Sequence, residues 1–454
     1  MKLEIKGSEN YSAVITRIDN KIPLEGCDNI CGTIIQGSHV IISKDVKEGD
    51  LGIFFPVETQ ISDFFLKNNN LYEDKNLNAD NTKKGFFNHK GRVRCMRLRG
   101  NKSEGFWIPL STFCNLSKED IDSFKEGTVF DTIDGITLCK KYVIVKNEQN
   151  SPKNKEKQAN KSFNRIIDEQ FHFHINTTHL KRNLDCLNFD SNITITQKLH
   201  GSSFIVSNIL CNKKLSLKDK IAQKFGVNVI TKDYDNVYAS RCVIKNKYIN
   251  EKVSEGYYGV DVWGVVNEEL KPFLEKGMTL YGEVVGYLPD SNRMIQKNYD
   301  YGCKEGEHKN FIYRITSTNP DGVVFEWSMS QIQMWCKQKG LNAVPLLYSG
   351  TVKNLYVSLH NNYCESLDGI NFSTFKPDWF LQMLTDEFLD IKCDKDNFEV
   401  YCNHDVWDEG IVLRVDSLDI ECYKHKSFNF LENETKALDA GETNIEDNQE
   451  EISE

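Results

Sequence analysis

The sequence predicts an α+β protein. A strand-rich N-terminal domain comes first, followed by a larger domain of mostly antiparallel sheets with helices at their flanks. Three observations predict it. Short β-branched and aromatic runs crowd the first 143 residues. A stretch rich in Lys, Asn and Gln near residue 150 divides the chain. Beyond it, strand-like runs and helical stretches interleave up to about residue 430.

Length and composition permit this. The chain has 454 residues, and at about 150 residues per domain it has room for up to about three domains. Its 39% apolar and 11% aromatic content can build cores and excludes a chain that is disordered or fibrous throughout. No run approaches about 18 uncharged apolar residues, so no membrane-spanning helix is predicted. The opening MKLEIKGSENYSAVITRI alternates like a first strand and lacks the apolar core of a secretory signal. An intracellular, soluble, cytoplasmic protein with no membrane partner is therefore expected. The 14 cysteines contain no CxxC pair, which argues for reduced, buried thiols rather than a disulfide framework or a zinc ribbon.

The elements follow in order. AVITRI, GTIIQG, HVIISK, LGIFFPV, GRVRCMRLRG and GFWIPL are separated by turn residues and suit a small barrel of OB type over residues 1–143. Polar sequence at 58–90 interrupts them and reads as a long loop or a short helix on the rim. Residues 144–165 form the predicted linker. The second domain spans 166–430. NITITQKLHGSSFIVSNIL reads as strand, tight turn at Gly201 and strand, and MTLYGEVVGYL, NFIYRITSTN, EGIVLRVDS and IECYKHKS are further strands. MSQIQMWCKQKG and FKPDWFLQMLTDEFLD are the helical stretches. Residues 431–454 hold nine acids and one base, so most of the net charge of −10 lies there. That tail is predicted to be disordered, and the rest of the chain is nearly neutral. A neutral total does not exclude nucleic acid, which is bound through local basic stripes.

The candidate chemistry starts at Lys198, at a strand end before Leu199-His200-Gly201-Ser202-Ser203. Partial desolvation there lowers a lysine pKa and exposes a nucleophilic amine. Gly201 permits close approach to a bound nucleotide. Alone, a lysine followed by a glycine turn is most often an ordinary strand end. Other strands change that balance. Glu283 lies mid-strand between Gly282 and Gly286 and suits a sugar hydroxyl. Glu409, before Gly410, Ile411 and Val412, suits a divalent metal on phosphate oxygens. Lys424 and Lys426 alternate, so both ammonium groups share one strand face, as an α-phosphate in transfer requires.

The ordered set KLHG (198–201), YGEVVG (281–286), FIYRIT (311–316), EGIVLR (409–414) and YKHKS (423–427) resembles the covalent nucleotidyltransferase superfamily of ATP-dependent polynucleotide ligases and mRNA-capping enzymes. FHFHINTTHLKRN (171–183) and GRVRCMRLRGNKSEGFWIPL (91–110) resemble the RNA ligase branch that carries an N-terminal OB domain. The resemblance implies a nucleotidyltransferase domain that uses ATP and Mg or Mn to join RNA ends, at a nick or across a break. Lys198 would carry AMP, and Lys424 and Lys426 would hold the α-phosphate. Glu283 would take the ribose, and Tyr313 would stack on adenine with Ile411 or Val412 on its other face. Gln197 and Gly201 would complete the nucleotide site, and Glu409 would hold metal. The chain departs from the superfamily at Arg314, usually acidic, and at Ser203, an arginine in many DNA ligases and capping enzymes.

Arg92, Arg94, Arg97 and Arg99 form the strongest basic segment and suit a phosphate-tracking groove. Strand periodicity would put Arg92 and Arg94 on one face and Arg97 and Arg99 on the other. A charged edge strand that resists aggregation is the competing reading. His172, His174 and His179 lack a nearby fourth ligand, so a structural or RNA-facing role is favoured over metal. Phe171 and Phe173 are read as core, as are Trp327, Trp335, Trp379 and Trp407. A monomer is favoured. A DNA ligase, a GTP-dependent capping guanylyltransferase and a non-catalytic RNA-binding module are the alternatives. Retention of Lys198, Glu283, Glu409, Lys424 and Lys426 disfavours the last.

Overall fold

The structure is a computed structural model that describes residues 2–112, 124–143, 163–249, 253, 258–363, 375–417 and 420–442. It is α+β with largely antiparallel sheets. In the N-terminal domain β1 (Ala13–Arg17), β2 (Leu51–Pro56) and β3 (Gly105–Pro109) run antiparallel in that order, with Val129–Phe130 on the outer side of β1. Their buried face gathers Ala13, Ile15, Ile53, Phe55 and Phe130 around Phe65 and Leu66. Smaller sheets surround this one, including the hairpin Ile30–Ile35 with Ser38–Ser43. Among the described residues these strands do not join into a single closed sheet. The polar stretch 58–90 contains both loop and helix. In it α1 (Asp63–Asn68) is capped by Ser62, which accepts from the Phe65 amide.

Two sheets build the second domain. The first has the order Thr178–His179, β11 (Glu421–Lys426), β10 (Gly410–Val415), β4 (Asn192–Gln197) and β9 (Leu346–Thr351). Ile193, Ile195, Ile411 and Leu413 face α5 (Val352–Tyr363) and α6 (Pro377–Phe388), where Leu355, Tyr356, Phe380 and Leu384 close the core. The second sheet runs β6 (Lys232–Ser240), β5 (Ser202–Asn212), β7 (Met278–Gly286), β8 (His308–Thr318) and Val324–Glu326, with Asn342–Ala343 beside β8. Phe204, Leu280 and Ile312 pack there with Trp263 of α3 (Val262–Leu270) and Ile332 of α4 (Met329–Lys339). Leu217–Lys224 is α2, between β5 and β6. The residues between β4 and β5 therefore join the two sheets, and these are Lys198 to Gly201.

Several boundaries differ from the expectation. Residues 144–162 of the predicted linker lie outside the described residues, but its last residues are fixed. Arg165 is buried, with hydrogen bonds to the carbonyls of Asn236 at 2.6 Å and Asn246 at 3.0 Å, and an ion pair to Asp235. The acidic tail begins later than residue 431. Phe428–Asp439 is a helix, α7, capped by Ser427, and it buries Phe428, Phe430, Leu431 and Thr435. Net acidity hid an apolar stripe that recurs at helical spacing. Residues 443–454 lie outside the described residues. Phe173 and Trp379, read as core, are exposed. No helix among the described residues is long and apolar enough to cross a membrane.

Helix α7 rests on the N-terminal domain. The Arg92 guanidinium is buried and donates to the Thr435 carbonyl at 2.9 Å and to Asp439 at 3.2 Å. Arg94 reaches Asp439 at 3.6 Å, and Arg97 donates to Asn429 at 2.7 Å. The expected opposition of faces fails, because residues 92–99 are not one strand. Only Met96–Leu98 is strand, and Arg99 turns with φ +49°, its guanidinium donating to the Gly26 carbonyl at 3.2 Å. Arg92 braces this helix, and Arg94 and Arg97 also contact it. Arg92 and Arg94 also border a cavity of about 780 Å³ with Phe106 and Trp107.

Candidate active site

Lys198 sits at the sheet-to-sheet crossover. Its amide donates to the Gly410 carbonyl at 2.8 Å, which ties β4 to the start of β10. The turn that follows is pinned from outside the recognised motifs. Tyr301 donates no bond here but accepts one, its hydroxyl oxygen taking the His200 amide at 2.7 Å. Gln296 donates to the Gly201 carbonyl at 2.8 Å. The His200 ring packs edge-on against Tyr299 and Phe430. Gly201 must be glycine, since a Cβ there would lie 2.3 Å from the Val284 carbonyl and 2.9 Å from Glu283 Cγ.

The cross-strand register then sets the carboxylates. Ser203 opposes Glu283, and its hydroxyl donates to Glu283 Oε2 at 3.0 Å. Gly410 has φ +134°, and a Cβ on it would meet the His425 carbonyl at 2.2 Å. That close approach brings Glu409 to the lysines. Glu409 Oε1 lies 2.8 Å from Lys198 Nζ and 3.6 Å from Lys426 Nζ, and its other oxygen lies 3.5 Å from His200 Nδ1. Burial alone would raise the Glu409 pKa, but Lys198, His200 and Lys426 hold it well below the usual carboxylate range. Its neighbour Asp408 is pushed up to about 7 by burial, against hydrogen bonds from Gln197 and Gly410.

Lys424 and Lys426 do share a face, while His425 points the other way to Thr385. Burial, with Lys426 next to it, pushes Lys424 down to about 8. Burial also disfavours a charged Lys426, yet Glu434, Glu58 and Glu409 together hold its pKa well above the usual value. Glu58 comes from the N-terminal domain at 3.4 Å and Glu434 from α7 at 3.8 Å. No motif pointed to either acid.

A cleft of about 130 Å³ opens beside Lys198, and Gln197, Lys198, Glu283, Tyr313 and Val412 line it. The alternative left open between Ile411 and Val412 resolves by strand alternation. Ile411 is fully buried in the α5–α6 core, so Val412 faces the cleft. Tyr313 is fixed by a 2.6 Å hydrogen bond between its hydroxyl and His174 Nδ1. It stands at a β-bulge. Tyr281 pairs with Arg314 and Gly282 with Ile312, which leaves Tyr313 as the extra residue. Tyr313 and Arg314 therefore both border the cleft, and Arg314 pairs with Glu326. Period-two reasoning could not place both on one side. Gly201, Ile411, Glu409, Lys424 and Lys426 are not among the residues that line this cleft. Lys426 borders a separate, smaller cavity of about 50 Å³ with Glu58 and His179. His172 contacts the Glu169 carbonyl, so the three histidines of 172–179 serve three separate places.

The site combines a turn that carries a lysine, a cleft lined by a carboxylate and an aromatic ring, and clustered ammonium groups. It can bind a planar base with its sugar and stabilise charge that develops on phosphate. Among the described residues no group of three His, Cys, Asp or Glu side chains is arranged to hold a metal by itself. One carboxylate plus substrate phosphate oxygens is a usual magnesium set. Glu409 fits it, since its buried Oε2 makes no hydrogen bond.

Residues 191–428 match the family model described as RNA ligase. A mutant of the Naegleria gruberi RNA ligase with AMP and Mn is 16% identical, with a TM-score of 0.52, covering 94% of this chain and 99% of its own. A second mutant of that ligase, with ATP and Mn, is also 16% identical, with a TM-score of 0.52, covering 93% and 98%. At this identity the likeness shows the fold. No curated protein matches.

Proposed function

The chain belongs to the RNA ligase family, and we propose that it is an ATP-dependent enzyme that seals RNA ends through a lysyl-AMP formed on Lys198. One observation carries the reading. The Lys198 ammonium and the Lys426 ammonium share one buried oxygen of Glu409 beside the cleft that holds Glu283, Tyr313 and Val412.

ATP enters with adenine between Tyr313 and Val412 and its ribose on Glu283. Gln197 offers a buried carbonyl oxygen that makes no hydrogen bond, an acceptor for a ligand N–H. Lys198 Nζ, once deprotonated, attacks the α-phosphorus. The bond to pyrophosphate breaks and a P–N bond forms. The lysine proton leaves to water. A 5′-phosphate oxygen of RNA next attacks the same phosphorus and the P–N bond breaks. The 3′-hydroxyl of the second end then attacks the 5′-phosphorus and AMP leaves. Lys424 and Lys426 stabilise the charge on the oxygens of the α-phosphate. A divalent Mg or Mn held by Glu409 would supply Lewis-acid stabilisation of the same oxygens.

The same reading covers the whole chain. Residues 1–143 act as an OB-like domain that grips RNA, with Arg94, Arg97 and Arg99 as its partly exposed cations. The adenylyltransferase domain starts by residue 163 and extends through α7. The substrate is a nicked duplex or a pair of broken RNA ends, and the protein acts as a monomer in the cytoplasm.

The test is incubation with α-labelled ATP or GTP plus a divalent metal, followed by a denaturing gel and peptide mass spectrometry. AMP on Lys198 is the expected result. GMP would assign capping, and no adduct from folded, unmodified protein would overturn the proposal.

A further inference from the structure

We propose that α2 and the turn after it dock this protein on an anionic lipid surface. Helix α2 caps the long hairpin of β5 and β6, paired in register from Phe204 and Ser240 out to Asn212 and Lys232. None of its residues is buried. Leu217, Ile221 and Phe225 recur every fourth position and so share one face. They are 79%, 55% and 82% exposed, and Val227 and Ile230 extend the patch at 55% and 70%. Isolated exposed apolar residues are ordinary, but five together on one projecting element are not.

The charge near the patch in sequence is mostly positive. Lys213, Lys214, Lys218, Lys220, Lys224 and Lys232 surround it, and Asp219 is the one acid in 213–232. Asp219 is taken up in a capping box. Its carboxylate accepts the Ser216 amide at 3.0 Å, and the Ser216 hydroxyl oxygen accepts the Asp219 amide at 3.2 Å. On a helical projection Lys218 and Lys224 fall on either side of the apolar stripe, and Asp219 falls opposite. An apolar stripe bracketed by lysines fits a bilayer surface. The aliphatic groups enter the acyl boundary while the lysine stems carry their charges to the headgroups.

RNA alone is a poorer match. Phosphates engage the lysines but leave Leu217, Ile221, Val227 and Ile230 in water, and base stacking favours aromatic planes. The placement also keeps the cleft free. Ten residues of β5 separate Ser202 from Asn212, roughly 30 Å at strand rise. The expectation of no membrane partner rested on the lack of a spanning segment, and a surface-lying helix needs none.

The experiment is co-sedimentation of the full chain with vesicles of phosphatidylcholine alone or with phosphatidylserine. The wild type is expected to bind only the phosphatidylserine vesicles, and raised salt to release it. Ile221→Ser with Phe225→Ser is expected to weaken binding on the order of tenfold. Both side chains are exposed, so thermal stability stays unchanged. Adenylylation by that variant, remote from Lys198, stays at the wild-type level. Absence of wild-type binding to phosphatidylserine vesicles overturns the proposal. So does a double variant that binds vesicles as before but loses RNA in a filter assay, since the hairpin would then be an RNA contact. Failure of the wild type to form lysyl-AMP would count against the ligase reading alone, because vesicle binding is read independently.

Discussion

Lys426 Nζ lies 3.4 Å from Glu58 Oε1, a contact across 368 positions of sequence. The N-terminal domain thereby reaches into the cluster of lysines around Glu409. Lys426 is partly buried, and Glu58, Glu409 and Glu434 reach it from three separate parts of the chain. Removing one acid loosens the ammonium without stripping its charge. Glu58→Gln is expected to slow lysyl-AMP formation by about tenfold, equivalent to about 1.4 kcal/mol of barrier. A quench-flow series with labelled ATP measures it, and an unchanged rate would mean that Glu409 and Glu434 suffice.

Lys198→Ala is expected to abolish the AMP adduct while leaving the fold intact. The side chain ends beside the cleft, where its Nζ meets Glu409. Intact-protein mass spectrometry and circular dichroism are the paired readouts. A persistent adduct in this variant would assign the nucleophile elsewhere.

Lys424 carries a pH dependence. Its folded-state pKa of about 8 lies below the usual lysine value of about 10.4. The charged form is therefore present below about pH 8 and lost as pH rises through it. Affinity for an unreactive ATP analogue, followed by calorimetry, should fall between pH 7 and about 9. Lys424→Arg keeps its charge and should flatten the profile. A wild-type affinity that is level across this range would sink the assignment.

Arg92→Ala separates a structural arginine from an RNA contact. The buried guanidinium holds the Thr435 carbonyl and Asp439. Its loss should cost about 2 kcal/mol of stability. A phosphate contact would instead lower the salt slope of RNA binding by about 1. A variant with wild-type Tm and a reduced salt slope would return Arg92 to the groove.

Helix α7 belongs to the folded body. Ending the chain after Glu442 should leave Tm and adenylylation unchanged. Ending it after Ser427 removes Phe428, Phe430 and Leu431, each worth about 1.5–3 kcal/mol of burial. It also takes Glu434 from Lys426. That shorter chain should show a large fall in Tm or lose solubility, and equal melting of the two truncations would contradict this packing.

The sequence alone determined the fold class and the main chemistry. Alternation along YKHKS put Lys424 and Lys426 on one face. The strand, turn and strand around KLHG placed Lys198 at a strand end, and the ordered motifs carried the resemblance to RNA ligases, while the pairing of the two strands in separate sheets came from the structure. Local patterns carry this because strand faces and tight turns depend on neighbouring residues. Tertiary structure decided the rest. The bulge at Tyr313 brought Arg314 to the cleft, and strand pairing chose Val412 over Ile411. Packing turned the first residues of an acidic tail into α7 and drew Arg92 inside. Glu58, Gln296 and Tyr301 joined the site through contacts between segments far apart in the chain. Charge and composition say that an acid or an arginine is present, but only the partner across the fold decides whether it is solvated, buried or aimed at a lysine.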